Sequence, residues 1–162
     1  MRLSRAPHRP FAHNDMNALE NALRDWRRNG GAGRPWIAVE SLYSMDGDAP
    51  DLQRLVTLKE RYDTLLMVDE AHSIGVLGAT GKGIAEEQGV DPRSVDIWMG
   101  TLSKTLGGCG GYIAGNKDLV DLLKYQAPGF VYSVGLSPPV TAASLTALQL
   151  LCSEPDRVKR LQ

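Results

Sequence analysis

Apolar positions along this chain change period several times, and each change marks an element. Leu19, Leu23 and Trp26 recur on one helical face, and Asn14 or Asp15 can cap a helix running to about Arg28. Gly30, Gly31 and Gly33 stop it. Trp36 to Glu40 reads as a short buried strand, and Ser44 to Asp48 as a turn-rich loop. A helix is predicted over 50–62, with Pro50 in its first turn, where a missing N–H matters least. Leu65 to Val68 is a second strand, apolar on both faces as a parallel sheet requires. A long loop with Gly75, Gly78, Gly81 and Gly83 follows. Val95 to Met99 and Gly110 to Ala114 complete the strands. The last two lie too close for a helical crossover, so they join without a βαβ unit. Helices are predicted over 117–126 and 139–151, the second starting behind Pro138 and Pro139. The alternation is that of an α/β protein with a mostly parallel sheet and flanking helices.

Composition narrows the class. The chain has 162 residues, 43% hydrophobic and 23% charged, as in a folded soluble domain. A net charge of −1 advertises neither nucleic acid nor an anionic membrane. No apolar run approaches the ~20 residues of a membrane span. The first eleven residues carry Arg2, Arg5 and Arg9 without an apolar core, which argues against a secretory signal. Cys109 and Cys152 are too few for a disulfide framework or a zinc site, so a reducing, cytoplasmic setting is expected.

In open parallel sheets, ligands gather at the carboxyl ends of strands. The chemically informative residues sit there. Ser41 follows the first strand, Asp69 ends the second, and Thr101 to Lys104 follow the third. A carboxylate closing an apolar run needs a partner. Asp69 could pair with a protonated pyridine nitrogen, cap the next segment or bind a metal. Lys104 lies among glycines and small hydroxyl residues in Gly100-Thr-Leu-Ser-Lys-Thr-Leu-Gly-Gly108. A desolvated lysine there would have a lowered pKa and serve as a nucleophile. An acid, a histidine three residues later and a distant lysine form the set that holds pyridoxal phosphate. The lysine forms the Schiff base, and the acid makes the ring an electron sink. His72 and Ser41 are candidates for the ring's phenolic oxygen, and Thr101 and Ser103 for its phosphate.

Competing motifs fail. Val-Asp-Glu-Ala-His at 68–72 also occurs in helicases, but the phosphate loop that reading needs upstream is missing. Asp46-Gly47-Asp48 is too short for a calcium loop.

The motifs together resemble the α-oxoamine synthases, a branch of the fold-type I pyridoxal phosphate enzymes. The matching stretches are His13-Asn14-Asp15, Glu40-Ser-Leu-Tyr-Ser-Met-Asp-Gly-Asp48 and Val68-Asp-Glu-Ala-His-Ser-Ile-Gly75. Gly78-Ala-Thr-Gly-Lys-Gly83, Gly100-Thr-Leu-Ser-Lys104, Gly107-Gly108 and Gly110-Gly111-Tyr112 continue them in the family's order. The resemblance implies that Lys104 is the Schiff-base lysine and general base and that Asp69 is the pyridinium partner. It implies that His72 and Ser41 contact the phenolic oxygen and Thr101 the phosphate. The implied reaction joins an amino acid to an acyl thioester, carried by CoA or an acyl carrier protein, usually with loss of carbon dioxide. One departure concerns the run Tyr132-Ser133-Val134-Gly135, where the family has a threonine reaching the neighbouring subunit's phosphate. Val134 cannot make that bond, which leaves Ser133. Family members are more than twice as long. Residues 1–162 are therefore expected to be part of the large domain, without the N-terminal segment and the C-terminal small domain, and a homodimer is expected for the intact protein. Another fold-type I enzyme, such as an aminotransferase, and an inactive truncated remnant are the rival expectations.

Overall fold

The structure, a computed structural model, describes residues 4–162. Its centre is a four-stranded sheet in chain order: β1 (Trp36–Glu40), β2 (Leu65–Asp69), β3 (Ile97–Thr101) and β4 (Gly111–Gly115). The first three strands are parallel, and β4 runs antiparallel to β3. The register sets Glu40 beside Asp69 and Asp69 beside Met99. The loops leaving β1, β2 and β3 therefore emerge at one edge.

Helix α1 (Met16–Arg28) begins at Asp15, whose carboxylate accepts from the Asn17 and Ala18 amides at 2.9 Å each. Helix α2 (Leu52–Tyr62) is capped by Asp51, which accepts from Arg54 N–H. Pro50 thus stands before the cap and not in the first turn, because Asp51 supplies the side-chain acceptor the turn needs. Leu19 and Leu23 of α1 and Leu52, Leu55, Val56 and Leu58 of α2 form one buried cluster with Ile37, Val39, Leu66 and Val68 of the sheet. Each such side chain contributes ~1.5–3 kcal/mol on burial. Glu20 is drawn into this seam, where Arg54 and Arg61 each donate to it at 2.6 Å and the Tyr62 hydroxyl at 3.1 Å.

The sheet is covered unevenly. Ile37, Val39, Leu66 and Val68 are buried, whereas Trp36 is 57% exposed and Leu65 and Met67 are half-buried. The expectation that β2 is buried on both faces is met on one. β3 begins two residues later than expected, because Asp91 caps a 3₁₀ turn at Pro92–Ser94 that leads through Val95.

Helix α3 (Ile84–Glu87) closes the glycine-rich loop. After β4 come α4 (Lys117–Gln126), α5 (Pro128–Val131), α6 (Pro138–Ser153) and α7 (Asp156–Leu161). The prolines fall in the first turn of α6 and not before it. α6 meets the loop after β3 where Gly108 abuts Ser144: a Cβ on Gly108 would collide with the Ser144 hydroxyl. Val158 packs near Gly81, and Gln162 Nε2 donates to Val76 O at 2.7 Å. The helices α3, α5 and α7 are short and carry no periodic signal from which the sequence could predict them. Among the described residues, no helix is long and apolar enough to cross a membrane.

Candidate active site

The edge where three parallel strands end gathers the expected groups. Asp69 closes β2, half-buried, and its Oδ1 accepts from Ala71 N–H at 2.9 Å. Among the described residues no cation lies within ion-pair distance of it. A part-buried carboxylate with a free oxygen and no positive partner fits a protonated ring nitrogen.

His72 and Lys104 meet directly, with Nε2 and Nζ 2.5 Å apart. A lysine ammonium has donors only. With Lys104 in that form, Nε2 accepts and the ring proton resides on Nδ1, which faces Glu40 Oε2 at 3.8 Å. Glu40, the last residue of β1, thus joins the site behind His72. Sequence reasoning assigned it no role, although its place at a strand's carboxyl end was the available signal. Lys104 itself is exposed. The described residues do not supply the desolvation expected of it; among them, His72 is its hydrogen-bond partner.

Thr101 Oγ1 organises the loop that carries Lys104. It receives Ser103 N–H at 3.2 Å, lies 2.7 Å from Ser103 Oγ, and donates to Gly110 O at 3.1 Å. The loop is pinned from the other side by Thr105, whose hydroxyl donates to Ile74 O at 2.7 Å. Gly75 lies against the Thr105 methyl group, where a Cβ would have no room. The loops after β2 and β3 are thereby interlocked, which holds His72 against Lys104.

Two expected residues lie elsewhere. Ser41 is fully buried, with its hydroxyl 2.8 Å from both Asp69 O and Ser73 Oγ. It faces inward beneath the sheet edge and offers nothing to a ligand there. Three residues on, Ser44 is exposed in the turn leaving β1, and its side chain makes no bond among the described residues. It is the open hydroxyl at this strand end. Ser133 is exposed between α5 and α6, and its Oγ accepts from Gly135 N–H at 3.1 Å. It touches none of the other candidate groups.

Two stretches far apart in sequence also meet. His13 Nε2 bonds Asp48 at 2.9 Å and Asn14 Nδ2 donates to the same carboxylate at 2.6 Å. The His13 ring stands edge-on to Tyr43. Against the opposing push of desolvation, the bonds from His13 and Asn14 lower the Asp48 carboxyl. They fasten the turn after β1 to the approach to α1. His13, Asp46 and Asp48 bring one ligand atom each within 4.8 Å of one another, all exposed.

Comparison with known proteins agrees with this geometry. The chain matches the aminotransferase class I and II family over residues 1–162, and it belongs to that family. It is 47% identical to an 8-amino-7-oxononanoate synthase of Geobacter sulfurreducens over 158 residues, 98% of this chain and 39% of the relative. It is 44% identical to mouse serine palmitoyltransferase 3 over 155 residues, 92% of this chain and 28% of that protein. The fold superposes on the crystal structure of an 8-amino-7-oxononanoate synthase from Francisella tularensis with a TM-score of 0.82 at 28% identity, covering 99% of this chain and 45% of that one. A serine palmitoyltransferase structure containing PLP gives a TM-score of 0.81 at 28% identity over 93% of this chain and 37% of that one. The chain thus spans roughly two fifths or less of the curated relatives it matches.

Proposed function

We propose that this segment is the cofactor-holding part of a pyridoxal phosphate-dependent α-oxoamine synthase. In this reading the whole protein condenses an amino acid with an acyl thioester, on CoA or an acyl carrier protein, with loss of carbon dioxide. The observation that carries the reading is the Asp69 carboxylate, without a cation among the described residues, at the same sheet edge as the joined pair His72–Lys104. When bound, pyridoxal phosphate supplies an electron sink for a carbanion at the amino acid's α-carbon. Asp69 would hold the ring nitrogen and favour its protonated form. Lys104 Nζ would hold the cofactor's aldehyde end and would be the base that accepts a proton there. His72 Nε2, in contact with Nζ, would exchange a proton with it, and the Glu40 carboxylate, 3.8 Å from Nδ1, places negative charge behind the ring. Thr101 and Ser103 hold the phosphate end. Ser44, in place of the buried Ser41, offers the hydroxyl for the phenolic oxygen. A cytoplasmic homodimer belongs to the same reading. The apolar surface of the C-terminal helices supports the dimer, with Leu145, Leu148 and Tyr132 exposed.

Borohydride reduction in the presence of pyridoxal phosphate, followed by peptide mapping of the full-length protein, tests the assignment. The pyridoxyl group is expected on Lys104 and absent from Lys104→Ala. Labelling elsewhere, or none with cofactor in excess, overturns it. Turnover then fixes the reaction: free thiol and carbon dioxide from an amino acid and an acyl thioester mark the synthase, and a keto acid marks transamination.

A further inference from the structure

Glu70 is buried, at 7% exposure, next to Asp69, and nothing in the proposed reaction uses it. Its environment is specific. Its backbone fastens β2 to β3 through Glu70 N–H to Met99 O at 2.7 Å. Its carbonyl receives Ser73 N–H at 3.1 Å and Ile74 N–H at 3.3 Å, turning the chain directly after His72. Its side chain reaches the far end of the same loop, where Oε1 accepts from Ile84 N–H at 3.3 Å and from the Ser73 hydroxyl at 3.4 Å. Ser73, itself fully buried, passes the network on to Ser41 Oγ at 2.8 Å.

The carboxyl group fits this position only because residue 83 is glycine. A Cβ there would fall on Glu70 Oε1, and φ at Gly83 is +89°, a backbone that other residues rarely adopt. The start and the end of the 71–83 loop are therefore held by one side chain. His72 sits inside that loop.

We propose that Glu70 is a positioning residue: by joining Ser73 to the Ile84 amide it clamps both ends of the loop that carries His72 and so sets the His72–Lys104 contact. Its significance rests on the reading of His72 and Lys104 given above. Desolvation pushes the Glu70 carboxyl up to about 7, against the opposing pull of the Ile84 and Ser73 bonds and with a further push from Asp69. Asp69, the Tyr112 phenol of β4 and the Ser73 hydroxyl are the polar groups that face it from the neighbouring elements. The clamp thus changes charge near neutrality. The ionised carboxylate accepts from both donors, whereas the neutral acid accepts more weakly.

The test is made on the full-length protein without cofactor, so its outcome is independent of whether Lys104 traps pyridoxal. The side-chain nitrogen shifts of His72 are followed by NMR against pH in wild type, Glu70→Gln and Glu70→Ala, with amide exchange at Ile84 as the second readout. In wild type, His72 is expected to show a second inflection near neutrality that Glu70→Gln removes. Ile84 exchange is expected to rise by about tenfold or more in Glu70→Ala and to stay within about threefold in Glu70→Gln. Superimposable His72 titrations in wild type and Glu70→Gln overturn the proposal. So does unchanged Ile84 exchange in Glu70→Ala. If Glu70→Ala does not fold, the near-isosteric Glu70→Gln carries the decision alone.

Discussion

The two parts of the chain on either side of Gly111 are built differently. From Phe11 to Leu106 the sequence wraps α1 and α2 onto the sheet, and among the described residues every buried apolar residue but one lies there. From Gly111 onward only Val158 is a buried apolar residue, while Tyr125, Phe130, Tyr132, Val134 and Leu145 are all more than half exposed. Asp69, His72, Thr101 and Lys104 all belong to the first part. A site held by main-chain bonds at the ends of packed strands needs a rigid foundation, and the first part provides it. The second part presents apolar surface instead, as an element does when its packing partners are other segments or other chains.

The largest expected contrast is in core truncation. Leu66 on β2 is completely buried between neighbours in the cluster, whereas Leu145 on α6 is 54% exposed. Leu66→Ala should destabilise by about 2–5 kcal/mol, from lost burial and the cavity left behind. Leu145→Ala should stay within about 0.5 kcal/mol. Urea unfolding of the two variants checks this, and equal losses would erase the distinction between the parts.

The parts should also differ in how pH acts on them. Glu70 has its carboxyl raised from 4.5 to about 7, mainly by desolvation. The unfolded chain releases this proton first, so the folded state loses stability as pH climbs from about 4.5 to about 7 and is level above that. At one pKa unit per 1.36 kcal/mol the loss is on the order of 3 kcal/mol. Glu70→Gln should flatten this slope. In α4 of the second part, Asp121 shows the opposite behaviour: the Lys117 hydrogen bond, at 2.6 Å, lowers its carboxyl below 3.8. Its stabilisation is present above that value and is lost as pH falls through the folded one. Glu70→Gln and Asp121→Asn should therefore change the slope of stability against pH in different ranges, as read from urea midpoints between pH 3 and pH 8.

The same division explains what the sequence disclosed. Short apolar runs ended by polar residues made β1 legible to the residue, and the short distance from the third strand to the fourth was enough to predict a connection without a helical crossover, which the structure realises as an antiparallel pair. Asp69, His72 and Lys104 stood out in the sequence because their residue types and spacing are rare together, and the fold brings His72 and Lys104 into contact. Ser41 was expected to face a ligand, but spacing to a strand end shows nothing of which way a side chain points. Its hydroxyl is turned inward by a carbonyl and a serine that lie 28 and 32 residues further along the chain. Glu40 and Glu70 did not stand out for the same reason: a carboxylate's surroundings are set by what folds over it, here His72 for one and the Ile84 amide for the other. In the second part, α5 and α7 gave no periodic signal, since few of their side chains enter a core.

Helix starts offer the finest comparison. α1 opens with a side-chain cap, Asp15 accepting two amide protons at 2.9 Å. α6 opens at Ser137 with no side-chain cap bond, its first turn shaped by Pro138 and Pro139. Serine and aspartate are both favourable cap residues, so residue type alone would rank the two starts together. The geometry separates them: Pro139, at the second helical position, has no N–H to donate, which removes one of the two amides a cap side chain serves, and Ser137 makes no bond to the other. Asp15→Ala should then destabilise by about 1 kcal/mol, and Ser137→Ala by no more than a few tenths. Thermal unfolding of both variants measures it. A loss at Ser137 equal to that at Asp15 would mean that α6 is capped in solution, and that the second part is tied down more firmly than its exposed apolar surface implies.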